Sequence, residues 1–211
     1  MCASYGLDPR FATDEMQDFA DQSLLDGLRD WAAQNDSDVL RPTGIRARNL
    51  NPIITARDRW ENGWWGFLEG GAPVKYPSIN TRSERLARGK GPLPRRGIVP
   101  VTYWRERHSA TKTWYHFGQD GELFGLAAVL RRGWTPEGNE VTCYSIVMRD
   151  AAGSVTPVHD RMPVLIGSRF AEEWLESTEP AAAVVDAALA TSDDLVSQIV
   201  ATPQQDPDAL F

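Results

Sequence analysis

The sequence predicts an α+β protein built around a curled, mostly antiparallel β-sheet or barrel with flanking helices. Four short strand-like runs lie between residues 98 and 148, with turn signals at 118–121 and 136–138. Closely spaced strands of this kind are typical of a meandering sheet that curls into a barrel. Apolar residues at helical spacing before this region, and an alanine-rich run after it, predict the helices.

The chain has 211 residues, which is enough for one hydrophobic core, so we expect a single domain over 1–211. Helices are predicted at 14–34, 167–175 and 181–190, and strands at 52–56, 98–104, 113–117, 123–130, 141–148 and 163–166. Residues 36–49 are predicted to form a polar connection, and residues 88–96 (RGKGPLPRR) an exposed basic loop. We expect residues 203–211 to be frayed.

Several classes of protein are disfavoured by what the sequence lacks. It contains no apolar run of about 18 residues and no basic segment followed by an apolar one near its start, so we expect neither a membrane span nor a signal peptide. Cys2 and Cys143 are then expected to be reduced, in the cytoplasm. No group of His, Cys, Asp and Glu has metal-ligand spacing and no glycine-rich loop would cradle a phosphate, so no cofactor is predicted.

Charge is unevenly distributed along the chain, which carries −7 in total. Residues 81–112 contain nine basic and two acidic residues, a net charge of +7, whereas residues 171–211 contain nine acidic residues and no Lys or Arg. A basic middle segment can bind phosphate locally despite the overall sign. The alternative is a solvated face whose arginines pair with those acidic residues.

Cys2 is a candidate nucleophile because of its position. If Met1 is removed, Cys2 carries an α-amine and a thiol on adjacent carbons, and both groups are partly deprotonated near neutral pH. An amine and a thiol in this arrangement can capture an aldehyde as a Schiff base and then close a five-membered thiazolidine ring, which a lone thiol cannot do. The alternative is that Cys2 has no role, since any residue can follow Met1.

Four short segments contain the residues that could act together with Cys2. They are residues 1–5 (MCASY), 80–84 (NTRSE), 99–106 (VPVTYWRE) and 159–163 (HDRMP). In this order they resemble the SOS-response-associated peptidase family, also known as abasic-site processing proteins, and residues 48–52 (RNLNP) support the resemblance. It extends from Met1 to about Leu175, whereas the acidic tail from about residue 177 matches poorly. Ala3-Ser4 in place of Gly-Arg marks the chain as a divergent member.

The resemblance implies covalent capture of abasic sites in single-stranded DNA, with autocatalytic removal of Met1 as the peptidase-like step. Asn80 would orient the terminal Cys2 or the sugar through its amide, which both donates and accepts hydrogen bonds. Glu106 would act as a general acid and base in sugar opening and Schiff-base formation. His159 could do the same work near neutral pH. The implied protein is a monomer associated with the nucleoid.

The resemblance also implies a DNA-binding set. Arg82 would hold a phosphate beside the lesion, since its planar guanidinium suits bidentate contacts. Arg161 could contribute in the same way or form an ion pair with its acidic neighbour. Lys90 belongs to the basic segment that would line the DNA channel. Trp104 could stack on a base, although core packing is the alternative for this ring.

Structural alternatives exist for the other candidates as well. Asn80 could be a turn residue, Glu106 could form a surface ion pair with the arginines beside it, and His159 could be a hydrogen-bonded core residue. Cys143 lies in an apolar run and is predicted to be an inert buried thiol.

Two other functions remain open at this point. In the first, Cys2 attacks a peptide or amide carbonyl while Glu106 and His159 transfer the proton, as in a cysteine hydrolase. In the second, the protein binds single-stranded DNA without catalysing a reaction.

Overall fold

The helices and strands were located in a computed structural model, which describes residues 2–35, 37, 40–42, 48–74 and 78–204. The helices are α1 (Gln22–Asn35), α2 (Ser83–Ala87), α3 (Ser168–Glu176) and α4 (Ala181–Val196), with a 3-10 turn at Gly153–Val155. The strands are β1 (Tyr5–Gly6), β2 (Leu50–Ala56), β3 (Arg59–Trp65), β4 (Leu68–Glu69), β5 (Ala72–Pro73), β6 (Asn80–Arg82), β7 (Arg96–Val101), β8 (Tyr103–Arg107), β9 (Trp114–Gly118), β10 (Phe124–Trp134), β11 (Glu140–Asp150), β12 (Arg161–Pro163), β13 (Leu165–Ile166) and β14 (Val200–Gln204).

Five strands close into a barrel. Their order is β11-β3-β2-β7-β10, and β10 pairs again with β11 to complete the circle. Four of the five pairings are antiparallel, and β3 with β11 is parallel. Side chains on the inside of a small barrel fill its interior, which explains why Val99, Leu126, Ala128 and Ile146, which share one face of the paired strands, are fully buried. The predicted α+β fold with a curled, mostly antiparallel sheet is confirmed.

Two short strands extend the barrel beside its longest hairpin. β6 pairs in parallel with β11 from Ile146 to Met148, just beyond the two residues where β11 pairs with β3. β12 pairs antiparallel with the last three residues of β11. Asn80 and Arg82 on β6, and Arg161 on β12, therefore lie around the end of one strand although 79 or more residues separate the two segments in the chain.

The strand predicted at 98–104 is two strands in two different sheets. β7 belongs to the barrel, whereas β8 belongs to a second sheet of order β1-β8-β9-β14. The chain changes sheets at Thr102, whose backbone N–H and side-chain hydroxyl both donate to the carbonyl oxygen of Gly6, at 2.8 and 3.2 Å. Hydrophobic periodicity predicts an extended chain here but carries no information on which sheet it joins.

The first helix is shorter than the predicted 14–34. The backbone N–H groups of Met16 and Gln17 donate to the carbonyl oxygen of Thr13, which closes a separate turn before the helix. Asp21 then accepts the N–H of Leu24 with its side chain at 2.7 Å, as an N-cap residue does, so α1 begins at Gln22. The apolar spacing continues through both pieces and therefore predicted a single helix.

The prediction of an exposed loop at residues 88–96 is wrong for Arg96. Residues 88–90 are exposed, but Arg96 is buried at the start of β7 and is only 7% exposed. Its guanidinium donates to the backbone carbonyl oxygens of Trp174, Leu175 and Ser177 at the end of α3. These hydrogen bonds supply donors to carbonyl oxygens that have no partner within the helix at its C-terminal end, where a positive charge is also favourable. Arg96 is therefore a structural residue rather than part of a phosphate-binding face.

The acidic part of the chain packs against the rest of the fold. α4 buries Val184, Val185 and Ala188, and β14 pairs antiparallel with β9. Within residues 203–211, which were predicted to be frayed, the first two belong to β14 and residues 205–211 lie outside the described part of the chain. Most of the predicted connection at 36–49 also lies outside it. No helix of the described residues is long and apolar enough to cross a membrane.

Candidate active site

Cys2 lies three residues before β1, the strand at one edge of the second sheet. Tyr5 pairs with Trp104, and the pairing continues to Ser4, whose carbonyl oxygen accepts the backbone N–H of Arg105 at 2.9 Å. Continued outward, this antiparallel register sets Ala3 opposite Glu106, and the adjoining Cys2 lies close enough for the Glu106 charge to act on its thiol. Burial raises the pKa of the Cys2 thiol, and the negative charge of Glu106 raises it further. The thiol is therefore neutral, and it donates a hydrogen bond to Ser4 O at 3.8 Å.

Asn80 contacts Cys2 directly. Its Nδ2 donates to the backbone carbonyl oxygen of Cys2 at 2.7 Å. Its Oδ1 is buried and has no hydrogen-bond partner among the described residues. β6 is fixed by its pairing with β11 and by a 2.8 Å hydrogen bond between the hydroxyls of Thr81 and Ser145. The amide thus anchors the Cys2 backbone and leaves one acceptor atom for another group.

Glu106 is a buried carboxyl group on β8. The residue is 4% exposed, and burial raises the pKa of its carboxyl to about 7. A buried charge costs free energy, so the neutral form is favoured over a wider pH range than in water. Near neutral pH both the acid and the carboxylate are populated, which is the condition for a group that gives and takes protons.

His159 lies across from Glu106, with 3.9 Å between its Nε2 and Glu106 Oε2. Nδ1 lies 3.0 Å from the backbone nitrogen of Arg161, 3.1 Å from its carbonyl oxygen and 3.0 Å from Asp160 Oδ1, so it accepts or donates according to the tautomer of the ring. Nε2 is the ring nitrogen that faces Glu106. Burial lowers the pKa of His159, although Asp160, 3.0 Å from Nδ1, opposes that effect. A separation of 3.9 Å is too long for a direct hydrogen bond.

An open cleft of about 610 Å³ adjoins these residues. Asn80 and His159 form part of its lining, together with Arg82, Arg85 and Arg161. Only one acidic residue, Asp160, is among the side chains that line it. A concave surface with three guanidinium groups favours an anionic ligand such as a phosphate.

The arginines of the cleft differ in their availability. Arg82 is exposed, and its side chain forms no hydrogen bond or ion pair with another described residue. Arg161 is paired with Glu84 at 2.6 Å and with Asp150 at 3.2 Å, and its hydrogen bond to Glu84 raises its pKa. Arg82 is therefore the better placed of the two for a phosphate. Arg161 is held by ion pairs, although with Glu84 and Asp150 rather than with the neighbouring Asp160 that the sequence suggested.

Two other predicted DNA-binding residues lie away from the cleft. Lys90 is exposed in the turn after α2 but is not part of the cleft lining. The prediction that Trp104 stacks on a base is wrong, because its side chain is fully buried. Its ring packs on Phe117 and Phe124, with centroid distances of 5.2 and 6.1 Å. A base cannot reach either face of this indole.

Neither Arg85, as an individual site residue, nor a buried polar network in the barrel was predicted from the sequence. Arg85, on α2, borders both the cleft and a second, more apolar cavity of about 450 Å³. The network joins Tyr5, Asn51 and Tyr144, three residues that are fully or almost fully buried. Tyr5 and Asn51 lie inside the motif segments 1–5 and 48–52, but nothing in the sequence indicates that Tyr144 joins them.

The fold and site together define a class of protein: a small barrel in which an N-terminal cysteine lies beside a buried carboxyl group and an arginine-lined cleft. The chain belongs to the SOS response associated peptidase family, because the model of that family matches residues 2–203. The resemblance inferred from four short motifs is confirmed.

Curated relatives and solved structures agree with this assignment. The abasic site processing protein YoqW of Bacillus subtilis is 28% identical over 129 residues, which cover 55% of this chain and 58% of that protein. The chain thus spans less than two thirds of the length of this relative. YoaM of the same organism, also an abasic site processing protein, is 25% identical over 75% of this chain and 80% of its own. A solved structure from Bordetella bronchiseptica has a TM-score of 0.69 at 17% identity, covers 97% of this chain and 100% of that chain, and supports the fold alone.

Proposed function

We propose that this protein captures abasic sites in single-stranded DNA as a covalent thiazolidine on Cys2. The convergence of Cys2, Asn80, Glu106 and His159 beside one arginine-lined cleft carries the proposal. The names of the curated relatives support abasic sites as the substrate class. An abasic deoxyribose opens to an aldehyde, which is the functional group that an adjacent amine and thiol trap.

Capture requires a free α-amine on Cys2, so removal of Met1 comes first. The Cys2 sulfur attacks the carbonyl carbon of Met1 while its proton passes to the carboxylate of Glu106. The Met1–Cys2 C–N bond then breaks, the proton returns to the departing amine, and water hydrolyses the resulting thioester to release methionine. The hydrogen bond from Asn80 to the Cys2 carbonyl oxygen holds the backbone of this residue in place during the exchange.

The same groups then act on the DNA. Sugar opening needs a proton on the ring oxygen, which His159 in its protonated form can supply, while the C1 hydroxyl releases its proton to water as the bond between C1 and the ring oxygen breaks. The α-amine of Cys2 adds to the aldehyde carbon, and Glu106 in its acid form protonates the hydroxyl that leaves as water. The loss of water leaves a protonated imine, the Cys2 sulfur adds to its carbon as the thiol proton goes to the Glu106 carboxylate, and the nitrogen becomes the neutral N–H amine of the thiazolidine ring. A pKa of about 7 allows Glu106 to act as acid and base in turn.

The cleft supplies the binding step. Arg82 and Arg85 are exposed on its wall and suit phosphates on either side of the lesion. Because single-stranded DNA binding releases counterions, the affinity should fall as the salt concentration rises. Association with DNA in the nucleoid, and action as a monomer, belong to the same proposal.

One experiment separates this function from its alternatives. Purified protein is incubated with an oligonucleotide that contains one abasic site, and the products are resolved on a denaturing gel. A slower band that is lost in Cys2→Ala and kept in Cys143→Ala supports the proposal, since both residues are buried cysteines and only Cys2 adjoins Glu106. Mass spectrometry of the N-terminus tests the loss of Met1 in the same samples.

Three results would contradict the proposal. An adduct of unchanged yield in Cys2→Ala would exclude Cys2 as the reacting residue. Hydrolysis of a peptide or amide without any DNA adduct would indicate a cysteine hydrolase. Salt-sensitive binding with neither activity would indicate a DNA-binding protein without the chemistry.

A further inference from the structure

A second cavity of about 450 Å³ adjoins the arginine-lined cleft and takes no part in the mechanism above. The two cavities share three lining residues, Asn80, Thr81 and Arg85, so they meet along β6 and α2. The volume of the second cavity lies within the range of ordinary ligand pockets. A ligand that occupies the cleft therefore has a direct path past Arg85 into this cavity.

The walls of the second cavity are mainly apolar. They are formed by side chains from three separate parts of the chain, among them Phe67, Leu86, Pro92, Leu93, Pro94 and Val129. The segment of Phe67 is fixed, because its backbone N–H donates to Ser78 Oγ and its carbonyl oxygen accepts the N–H of Val74 at 3.1 Å. An apolar cavity that opens onto a cationic cleft favours a ligand with one apolar and one anionic part.

Arg131 and Phe67 form a stack at the edge of this cavity. The guanidinium carbon of Arg131 lies 4.7 Å from the centroid of the Phe67 ring. Arg131 is exposed on β10, and both residues belong to the cavity lining. A guanidinium that is held over one ring can take a further planar group on its opposite face, and nucleobases stack on guanidinium planes as they do on aromatic rings.

The charge of the second cavity favours the same kind of ligand. Its charged lining residues are Arg85 and Arg131, and no carboxylate is among the described residues that line it. Arg85 borders both cavities, which is where a phosphate between two nucleotides would lie. Single-stranded DNA combines such phosphates with planar bases, whereas a purely apolar ligand would gain nothing from either guanidinium.

We propose that the second cavity binds the base of a nucleotide next to the abasic site. The inference rests on the proposed function, because it takes the lesion sugar to lie in the arginine-lined cleft. Arg131 stacks on the base, Phe67 holds Arg131 in position, and Arg85 binds the phosphate between this nucleotide and the lesion. Because every base has a π face, the site binds any of the four bases.

The test asks whether the neighbouring base and Arg131 contribute to binding through one contact. Single-stranded oligonucleotides carry tetrahydrofuran, a baseless sugar without an aldehyde, at the lesion position. In two further oligonucleotides, the preceding or the following nucleotide is also replaced by tetrahydrofuran. Fluorescence anisotropy gives the dissociation constants for the wild type, Arg131→Ala and Phe67→Ala. Arg132→Ala is the matched control, because Arg132 is an exposed neighbour on β10 that lies over Trp134 and outside the cavity lining.

In the wild type, loss of the base on one side of the lesion should raise the dissociation constant about 5- to 150-fold, the range for one stacked base. In Arg131→Ala the same loss should raise it less than about twofold, because the contact is already gone. Phe67→Ala should lie between these values, and Arg132→Ala should keep the wild-type factor although it removes an equal charge. An equal factor in the wild type and Arg131→Ala, or no loss in the wild type on either side, would overturn the proposal.

A second measurement follows the base itself. The fluorescent base analogue 2-aminopurine is quenched when it stacks, so next to the lesion its emission should fall on binding to the wild type and to Arg132→Ala. Equal quenching by Arg131→Ala would contradict the assignment of the stacking residue.

Neither measurement depends on the chemistry of Cys2, because tetrahydrofuran cannot form an imine. An adduct with a true abasic site but no coupling between the base and Arg131 would refute the base site and leave capture standing. Coupling without an adduct would support the base site and refute capture.

Discussion

Glu106→Gln should stabilise the folded protein at alkaline pH while it impairs capture. The side chain keeps its size, and the amide cannot ionise. Burial raises the pKa of Glu106 to about 7 from an ordinary value of 4.5. Each pH unit between the folded and unfolded pKa values corresponds to about 1.36 kcal/mol, so the ionised carboxylate costs the folded state about 3 kcal/mol.

The sign of the pH dependence follows from the raised pKa. Below pH 4.5 the carboxyl is protonated in both states, and the two proteins should be nearly equally stable. Between pH 4.5 and about 7 the folded state keeps a proton that the unfolded state loses, so the free energy of unfolding of the wild type falls with rising pH. The free energy of unfolding of Glu106→Gln, relative to that of the wild type, should therefore increase over this range and level off above pH 7.

Urea unfolding at several pH values from 4.5 to 8.5 measures this difference. Glu173→Gln is the matched control, because Glu173 is an exposed carboxylate on α3. Its curve should follow the wild type at every pH. A stability difference for Glu106→Gln that is constant with pH, or a loss of stability at pH 8, would refute the argument from burial. Adduct formation should slow by roughly 10²- to 10⁴-fold, since the group that transfers protons is gone.

Three further changes test the roles of individual side chains. Asn80→Ala leaves the Cys2 carbonyl oxygen without its 2.7 Å donor and should slow adduct formation roughly tenfold or more, measured by single-turnover gel assays with DNA at saturation. Arg82→Ala should weaken binding to single-stranded DNA and reduce the log–log salt slope by about 0.7, whereas Arg59→Ala, at the β2–β3 turn, should leave the slope unchanged in a fluorescence anisotropy titration. Trp104→Ala should lower the free energy of unfolding by about 3–5 kcal/mol, because it removes a fully buried ring, and a stable variant with weaker DNA binding would contradict its assignment to the core.

The sequence predicted the fold class better than the connections within it. Four of the five barrel strands were predicted, because apolar runs and turn residues are local signals, whereas β3 (Arg59–Trp65) was not. The division of one predicted run at Thr102 depends on two hydrogen bonds to the distant Gly6. The start of α1 after Asp21 depends on a cap that the continuous apolar pattern hides. β6 has only three residues, too few for any periodicity, and it exists because β11 offers it a partner.

The residues of the candidate site were likewise predicted only in part. Cys2, Asn80, Glu106 and His159 were selected from motif order, and the structure brings all four to one region. The sequence could not separate Arg82 from Arg161, because the difference lies in Glu84 and Asp150, which reach Arg161 only in the folded chain. Trp104 was misassigned because an aromatic residue on a strand looks the same in sequence whether its face meets solvent or Phe117.

Because β14 pairs with β9, the sheet that contains Glu106 is completed only late in the synthesis of the chain. The sheet that contains Glu106 has β1 at one edge and β14, at residues 200–204, at the other. A ribosome must therefore deliver the chain through residue 204 before this sheet can be completed. Until then, β9 presents an open edge to other nascent chains, a known route to aggregation. A product that ends before residue 200 would be prone to misassembly, because β9 would lack its partner strand.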